Sequence, residues 1–374
     1  MKQNQIFQIF GTDYKAMTVE ILERSGLKDR IPSKSARIGI KPNLVVPSPA
    51  VTGATTHPEI VAGIIEYLRK YGYTHILLTE GVWIGEKTEE CLEYTGFGAL
   101  CREMDVPFVD VRSLGNHIVN CAGMDLRVSD VVDEIDFLIG VPVLKGHCQV
   151  KMTCALKNMK GLVPDAEKRR FHALGVHDPV GRLCAGIRQD FIVIDHICGD
   201  PTSEDGGDPV TCNCIMTALD PVLADAYGRD LLHLSPEQVP YLSIAAECGI
   251  GCDDLQTAEI ISLNGSGFSA SLPESAGKLD VAFAVHEVQA CSACYANLLP
   301  ALRRLREEGL LSELDTKIAI GQAHRGKTGR LGVGDCTRGF DTCVSGCPPT
   351  ERQIFEGIRE YILRSDSRPD ENES

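Results

Sequence analysis

An α/β fold is indicated most directly by THPEIVAGIIEYLRKYGYTHILLTEG, residues 56–81. Apolar residues recur at helical spacing over 56–72, and a short apolar run follows at 74–81, so this stretch predicts a helix and then a strand. Further strands, each running into a polar loop, are predicted within 36–46, 136–147 and 189–200, and a further helix at 220–234. This alternation predicts an α/β domain with a mixed or largely parallel sheet flanked by helices.

Polar side chains follow the predicted strands, at the edge where such folds bind their ligands. These side chains are Lys41 and Asn43, then Glu80, then Lys145 and His147. The chain after Lys145 also concentrates lysines, arginines and histidines, although the net charge of the whole chain is −15. A focused cationic region suits a carboxylate or a phosphate. We therefore expect a pocket for a small anionic ligand at this edge.

Within that region, the residues that flank the predicted strand end are the strongest ligand-site predictions. They are Lys145, His147, Lys157 and Asn158. The charge run at 168–170 is more typical of a solvated surface.

The composition excludes several classes of function. The chain has 374 residues, with 52 acidic against 37 basic, which argues against a general nucleic-acid-binding protein. No run of about 18 uncharged apolar residues occurs, so no membrane span is expected. The N-terminal residues do not resemble a secretory signal. We therefore expect a cytoplasmic protein, and no pattern in the sequence indicates its oligomeric state.

Sixteen cysteines are many for a cytoplasmic chain, where disulfides are rare. Those in the first two thirds are interpreted as packed or free thiols, and this group includes Cys198, Cys212, Cys214, Cys248 and Cys252. The acidic stretch 195–208 is likewise interpreted as an ordinary loop, although its carboxylates are ligands that Mg²⁺ or Ca²⁺ accepts.

A second group of cysteines lies among strands and helices predicted near the C-terminus. The strands are predicted at 279–285, 316–321 and 330–336, and the helices at 295–309 and 349–364. Cys291 and Cys294 follow the first strand, Cys336 ends the third, and Cys347 precedes the last helix. If the strands are parallel neighbours, these four thiols meet at one edge of their sheet.

This arrangement favours one [4Fe–4S] cluster, which needs four thiolates in a shielded pocket. Zinc is the main alternative, since four-cysteine zinc sites are common, although a second compact CxxC is missing here. A thiol–disulfide pair or inert thiols are also compatible with the spacing. Cys343 is an alternative ligand to Cys336.

The segment resembles the cluster-binding small subunits of [NiFe]-hydrogenases and of NADH–quinone oxidoreductase. The resemblance rests on the pair Cys291/Cys294, on Gly334-Asp-Cys336 and on Val344-Ser-Gly-Cys347-Pro-Pro349. It implies one [4Fe–4S] cluster bound by those four cysteines. Cys343 departs from the pattern of these subunits.

Residues 36–264 resemble the domain-of-unknown-function family 362 through IKPNL, HPEIV, PVLKGH, ALKNMKG and ALDPVLADAYG, in that order. The family implies an α/β fold and an association with redox proteins, but no settled reaction. Its motifs imply eight pocket residues: Lys41, Asn43, Lys145, His147, Lys157, Asn158, Lys160 and His172.

Four segments are predicted: an α/β domain at 1–264, a linker at 265–278, a cluster-binding α/β domain at 279–364 and a disordered tail at 365–374. The leading hypothesis is an iron–sulfur redox enzyme or electron-transfer protein that acts on a small anionic ligand or a partner protein. In this hypothesis Lys145 and His147 orient and protonate the ligand. The alternatives are a non-redox enzyme acting on a carboxylate or phosphate, with a structural cluster, and a maturation factor that carries a metal or cluster.

Overall fold

The computed structural model describes residues 1–265, 267–273 and 281–365. The chain forms two compact units, Met1–Gly277 and Lys278–Ser374. Residues 266 and 274–278 of the predicted linker and residues 366–374 of the predicted tail lie outside the described ranges, so the four-part division stays a prediction.

The first unit contains twelve strands among its described residues. These are β1 (Gln5–Phe10), β2 (Ile38–Pro42), β3 (Ile76–Glu80), β4 (Phe108–Asp110), β5 (Asn116–Cys121), β6 (Met124–Ser129), β7 (Phe137–Val141), β8 (Lys145–His147), β9 (Lys151–Thr153), β10 (Phe191–Gly199), β11 (Val210–Ala218) and β12 (Glu259–Ser262). Its α-helices are α1 (Tyr14–Ser25), α2 (Pro58–Lys70), α3 (Thr88–Tyr94), α4 (Phe97–Glu103), α5 (Ala155–Asn158), α6 (Asp165–Leu174), α7 (His177–Leu183), α8 (Pro221–Leu231) and α9 (Tyr241–Glu247).

Eight of these strands form one sheet in the order β12-β1-β11-β10-β7-β2-β3-β4. Neighbouring strands are parallel except around β11, which is antiparallel to both β1 and β10. The predicted mixed, largely parallel sheet flanked by helices is therefore confirmed. Within 136–147 the predicted buried strand is β7, which ends at Val141, but the last three residues form a strand that was not expected, β8, which pairs with β9 outside the large sheet.

The central strands are apolar on both faces because helices cover both sides of the sheet. On β10, Phe191 and Val193 pack into the hydrophobic core that includes α2, whereas Ile192 and Ile194 pack into the core that includes α8. Helix α2 begins at Pro58, whose fixed φ angle and missing N–H suit the first helical position. Two separate cores thus hold the carboxyl ends of the strands in fixed positions.

The second unit has four parallel strands in the order β13 (Val285–Glu287), β14 (Ile318–Ile320), β15 (Leu331–Val333) and β16 (Thr342–Val344), with helices α10 (Ser292–Glu307) and α11 (Glu351–Ser365). The expected parallel neighbours are present, and β16 is an additional strand. The strand predicted at 279–285 is wrong in its bounds, because 282–284 form a 3₁₀ turn and β13 begins at Val285; residues 279–280 lie outside the described ranges. None of the described helices in either unit combines the length and apolar composition that crossing a bilayer requires.

Candidate functional site

The carboxyl ends of β2 and β3 carry a buried ion pair. The Lys41 ammonium lies 2.6 Å from a Glu80 carboxylate oxygen and donates to Asn158 Oδ1 at 2.9 Å and to the Pro42 carbonyl at 2.9 Å. Lys41 is 0% exposed and Glu80 is 3% exposed. Burial lowers the pKa of Lys41, and the attraction of Glu80 opposes that effect. All three N–H donors of the Lys41 ammonium therefore have acceptors, and Lys41 has a structural role.

Two asparagines connect this pair to Lys145, the first residue of β8. Asn158 Oδ1 also lies 3.4 Å from Asn43 Nδ2, and Asn43 Oδ1 accepts a hydrogen bond from Lys145 Nζ at 3.2 Å. Lys145 Nζ donates in addition to the Ala54 carbonyl and, at 2.6 Å, to the Glu204 carbonyl. Burial lowers the pKa of Lys145 to about 7. Four of the residues that the family motifs imply thus belong to one hydrogen-bonded network: Lys41, Asn43, Lys145 and Asn158.

His147, Cys148 and Glu204 form a buried group beside that network. His147 Nδ1 accepts a hydrogen bond from the Gln149 backbone N–H at 3.0 Å, which assigns the ring proton to Nε2, 3.5 Å from Glu204 Oε1. The Cys148 thiol lies 3.3 Å from the same Glu204 oxygen. Burial keeps the pKa of His147 well below its usual value, so the ring is neutral at pH 7.

The ligand atoms of this group lie within 4.8 Å of one another, close enough to hold a metal ion. Two features oppose a cation there. The assigned tautomer leaves His147 Nε2 without a free lone pair. Lys145, Lys157 and Lys160 are moreover electrostatic neighbours of His147, and their positive charge repels a metal ion.

Lys157 is the common electrostatic neighbour of the buried lysines, since it lowers the pKa values of Lys41, Lys145 and Lys160. Its own pKa is lowered by burial. Lys157 is half-buried and, among the described residues, forms no hydrogen bond or ion pair. The carboxylates of Glu204, Asp205 and Glu80 act in the opposite sense and raise its pKa, but among the described residues none of them pairs with it, so its ammonium can bind an anion.

A second unpartnered donor lies on α6. Lys160 Nζ lies 3.3 Å from His172 Nε2. Burial lowers the pKa of Lys160 well below its usual value, but Nζ carries donor hydrogens in either charge state; with Nε2 as the acceptor, the ring proton resides on Nδ1. His172 Nδ1 is buried with no hydrogen-bond partner in the described part of the chain. Burial, and then the charges of Lys160 and Lys157, lower the pKa of His172 to about 3.

The structure therefore brings together all eight pocket residues that the family motifs imply: Lys41, Asn43, Lys145, His147, Lys157, Asn158, Lys160 and His172. It also adds Cys148, which sequence reasoning missed, and Glu204 and Asp205, which were interpreted as part of an ordinary loop. The surface interpretation of the charge run is wrong for Lys168, which is 2% exposed and donates to the Gly81 and Val82 carbonyls at 2.9 Å each. Arg169 and Arg170 are exposed as expected. Glu80 was indicated only by its place at a strand end.

In the second unit, four cysteines follow the carboxyl ends of the parallel strands. Cys291 precedes α10 and lies beyond β13, Cys336 follows β15, and Cys347 follows β16. Burial, and then the neighbouring thiols of Cys291, Cys347 and Cys336, raise the pKa of Cys294 to about 12. The pKa of Cys291 is raised for the same reasons, with Cys336 and Cys347 again among the causes. The four sulfurs are thus close electrostatic neighbours.

Two side chains donate towards these sulfurs. Gln322 Nε2 lies 3.2 Å from Cys291 Sγ, and Arg325 Nε lies 3.4 Å from Cys336 Sγ. Cys343 instead contacts the Thr337 hydroxyl at 3.4 Å and the Gly334 carbonyl at 3.6 Å. It is not among the electrostatic neighbours that raise the pKa values of Cys291 and Cys294.

Comparison with known proteins places the first unit in a family. Residues 38–230 match the family described as "Domain of unknown function (DUF362)". The chain belongs to this family. The DUF362 match begins with β2 and ends within α8, so it contains all eight pocket residues and none of the C-terminal cysteines.

The individual proteins that match this chain share little sequence identity with it. The chain is 24% identical over 238 residues to the thylakoid-associated protein sll1697 of Synechocystis sp.. The alignment covers 62% of this chain and 73% of that protein. The lactate racemase apoprotein of Thermoanaerobacterium thermosaccharolyticum matches with a TM-score of 0.41 and 14% identity, over 60% of this chain and 56% of that one. A Thermotoga maritima protein matches with a TM-score of 0.36 and 12% identity, over 63% and 60%. The chain therefore spans less than two thirds of either solved structure.

Proposed function

We propose that this DUF362 protein is an iron–sulfur protein that binds one [4Fe–4S] cluster through Cys291, Cys294, Cys336 and Cys347. The observation that carries the proposal is the convergence of these thiols beyond the carboxyl ends of parallel strands. Thiols that raise one another's pKa values need a bound cation to become thiolates together, and a metal centre supplies that charge. The donor set fits a cluster, whose four thiolates bind four different irons.

The spacing of the thiols favours a cluster over zinc. Around a single zinc ion with Zn–S bonds of about 2.3 Å, tetrahedral sulfurs lie about 3.8 Å apart. Among the described residues, the groups whose ligand atoms all lie within 4.8 Å of one another are His147–Cys148–Glu204 and His117–Asp130–Asp133. The four cysteines are not such a group, and wider spacing suits thiolates on separate irons.

The side chains around the thiols support an electron-transfer role. A bound cluster would supply one-electron transfer. Gln322 and Arg325 donate towards cysteine sulfurs, and hydrogen bonds to sulfur adjust the reduction potential of a cluster. Cys347 is exposed, so this edge is accessible to a redox partner protein. We propose such a partner as the second participant in the reaction.

Iron and acid-labile sulfide analysis of protein purified without oxygen tests the proposal. We expect about four irons and four sulfides per chain, and a visible absorption band that dithionite bleaches. One zinc per chain, or no metal after anaerobic reconstitution with iron and sulfide, would overturn it.

The first unit is proposed to bind a small anionic compound at Lys157. The free ammonium of Lys157 and the unpartnered Nδ1 of His172 are the two donors that support this proposal. A non-redox enzyme acting on a carboxylate or phosphate is the second candidate function. It is favoured by Lys145, whose pKa of about 7 suits proton transfer at neutral pH.

Sulfate, whose charge is constant near neutral pH, is expected to bind at least about tenfold more tightly at pH 6 than at pH 8. Below pH 7 Lys145 is charged, and Asp205, whose pKa burial and then Glu204 raise to about 7, is neutral. Above pH 7 both changes disfavour an anion, and either linked proton alone accounts for about tenfold over this interval. Isothermal titration calorimetry at the two pH values measures the ratio.

Lys157→Met should weaken sulfate binding by about tenfold or more at both pH values. Lys87→Met, which removes a lysine whose side chain is 72% exposed, is the matched control and should bind as the unmodified protein does. Equal binding by the two variants would exclude Lys157 as the anion ligand, and this result would leave the cluster proposal unaffected.

A further inference from the structure

Three reactive side chains converge where α2 begins beside β10. They belong neither to the eight pocket residues of the first unit nor to the four cysteines of the second. His57 precedes α2, whereas Asp195 and Cys198 lie on β10. His57 Nδ1 is 2.8 Å from Asp195 Oδ2, and His57 Nε2 is 3.8 Å from Cys198 Sγ. His57 and Cys198 are each 5% exposed and Asp195 is 0% exposed.

The carboxylate fixes the orientation of the imidazole. Asp195 also accepts hydrogen bonds from the backbone N–H groups of His57 at 2.8 Å and Ile197 at 3.1 Å. His57 Nδ1 donates to Asp195, so Nε2 points at the sulfur. Burial alone would lower the pKa of His57, but Asp195 and then Cys198 outweigh it and raise that pKa to about 10. The protonated imidazole therefore places its Nε2–H beside the sulfur, where it can donate a proton to a group that leaves from there.

The surroundings of the sulfur restrict what can reach it. Cys198 Sγ also lies 3.4 Å from the Ala50 carbonyl, in the turn that covers β10 at this point. The ring of Tyr14 packs edge-on against His57, with the ring centroids 5.4 Å apart. Cys212 on the neighbouring strand β11 is an electrostatic neighbour of Cys198. With only 5% of Cys198 exposed, the sulfur is out of reach of peptides and bulky electrophiles, so its reaction partner has to be a small molecule.

We propose that Cys198 is a peroxide-reactive thiol that His57 and Asp195 activate. The Cys198 sulfur attacks one oxygen of hydrogen peroxide, so that an S–O bond forms as the O–O bond breaks. The leaving hydroxide takes the proton from His57 Nε2 and departs as water, and the proton of the Cys198 thiol then reprotonates Nε2. The sulfur is oxidised by two electrons to a sulfenic acid, and the peroxide is reduced. Asp195 acts as a positioning residue, because it holds the imidazole with Nε2 towards the sulfur.

The test measures how fast individual cysteines of the full-length protein are oxidised by substoichiometric hydrogen peroxide. After set times the peroxide is removed with catalase, the protein is unfolded in dimedone and iodoacetamide, and the peptides are quantified by mass spectrometry. Cys184 and Cys214 are internal controls, since both are buried and neither contacts a histidine among its described hydrogen bonds. We expect Cys198 to lose its free thiol at least about tenfold faster than either control, and to carry dimedone.

His57→Gln should slow the oxidation of Cys198 by at least about tenfold and leave Cys184 and Cys214 unchanged. Circular dichroism of the variant verifies its fold. Oxidation of Cys198 at the rate of Cys184 and Cys214 in the unmodified protein would overturn the proposal, and this comparison needs no variant. An unchanged Cys198 rate in folded His57→Gln would overturn the role of the imidazole.

Discussion

Cys347→Ala is expected to reduce the iron content of anaerobically purified protein from about four atoms per chain to nearly none. The cluster has four ligands in the proposed site, and loss of the one on the loop before α11 opens it to solvent. Cys347 is the most exposed of the four, so its loss opens the site on the side that faces solvent. Iron and sulfide analysis, together with the visible spectrum, measures the change.

Cys343→Ala is the matched control, since it removes a nearby thiol on β16 that contacts Thr337 and Gly334 instead. It should retain about four irons. Cys336→Ala should behave as Cys347→Ala does. The reverse pattern, with iron lost in Cys343→Ala and kept in Cys336→Ala, would show that Cys343 is the ligand. Iron retained in all three variants would contradict the proposed site altogether.

Glu80→Gln is expected to lower the free energy of unfolding of the first unit by about 3–5 kcal/mol, because it leaves the Lys41 ammonium buried without its carboxylate. Lys41 is 0% exposed, and its remaining partners are the neutral oxygens of Pro42 and Asn158. The single tryptophan, Trp83, lies in this unit, so urea unfolding followed by its fluorescence reports the change.

The control is Glu66→Gln, which breaks an ion pair with Lys15 whose side chains are 51% and 52% exposed. That change should cost less than about 1 kcal/mol. Burial lowers the pKa of Lys41 below 10.5, so the unfolded chain binds more protons above the folded pKa. The destabilisation in Glu80→Gln should therefore be complete at the lower pH values and shrink as the pH rises. A cost below about 1 kcal/mol near pH 7 would mean that Lys41 is already neutral in the folded protein.

The fold class could be predicted because helices and strands have different periods along the chain. The stretch 56–81 contains both periods in sequence, and the observed α2 and β3 fall inside it. Strand bounds were less predictable. The pairing of β8 with β9 depends on residues that meet only after the chain turns back, so β8 was not expected within 136–147.

The location of the buried lysine network was predictable, since Lys41 lies at the carboxyl end of β2 and Lys145 follows that of β7, and these two ends share one edge of the sheet. The cysteine spacing likewise indicated which thiols converge, because each thiol follows a parallel strand or precedes a helix. Both inferences use only the order of residues and the geometry common to all parallel sheets.

Which charges are buried, and what they contact, depended on the tertiary structure. Lys168 has the sequence neighbours of a surface residue, yet α6 places its ammonium against the carbonyls of Gly81 and Val82. Asp195 lies 138 positions from His57, and no local pattern relates them. Burial and hydrogen bonding are set by contacts between distant segments, and these contacts, through desolvation and nearby charge, determine the pKa values of Lys145, His57 and His172.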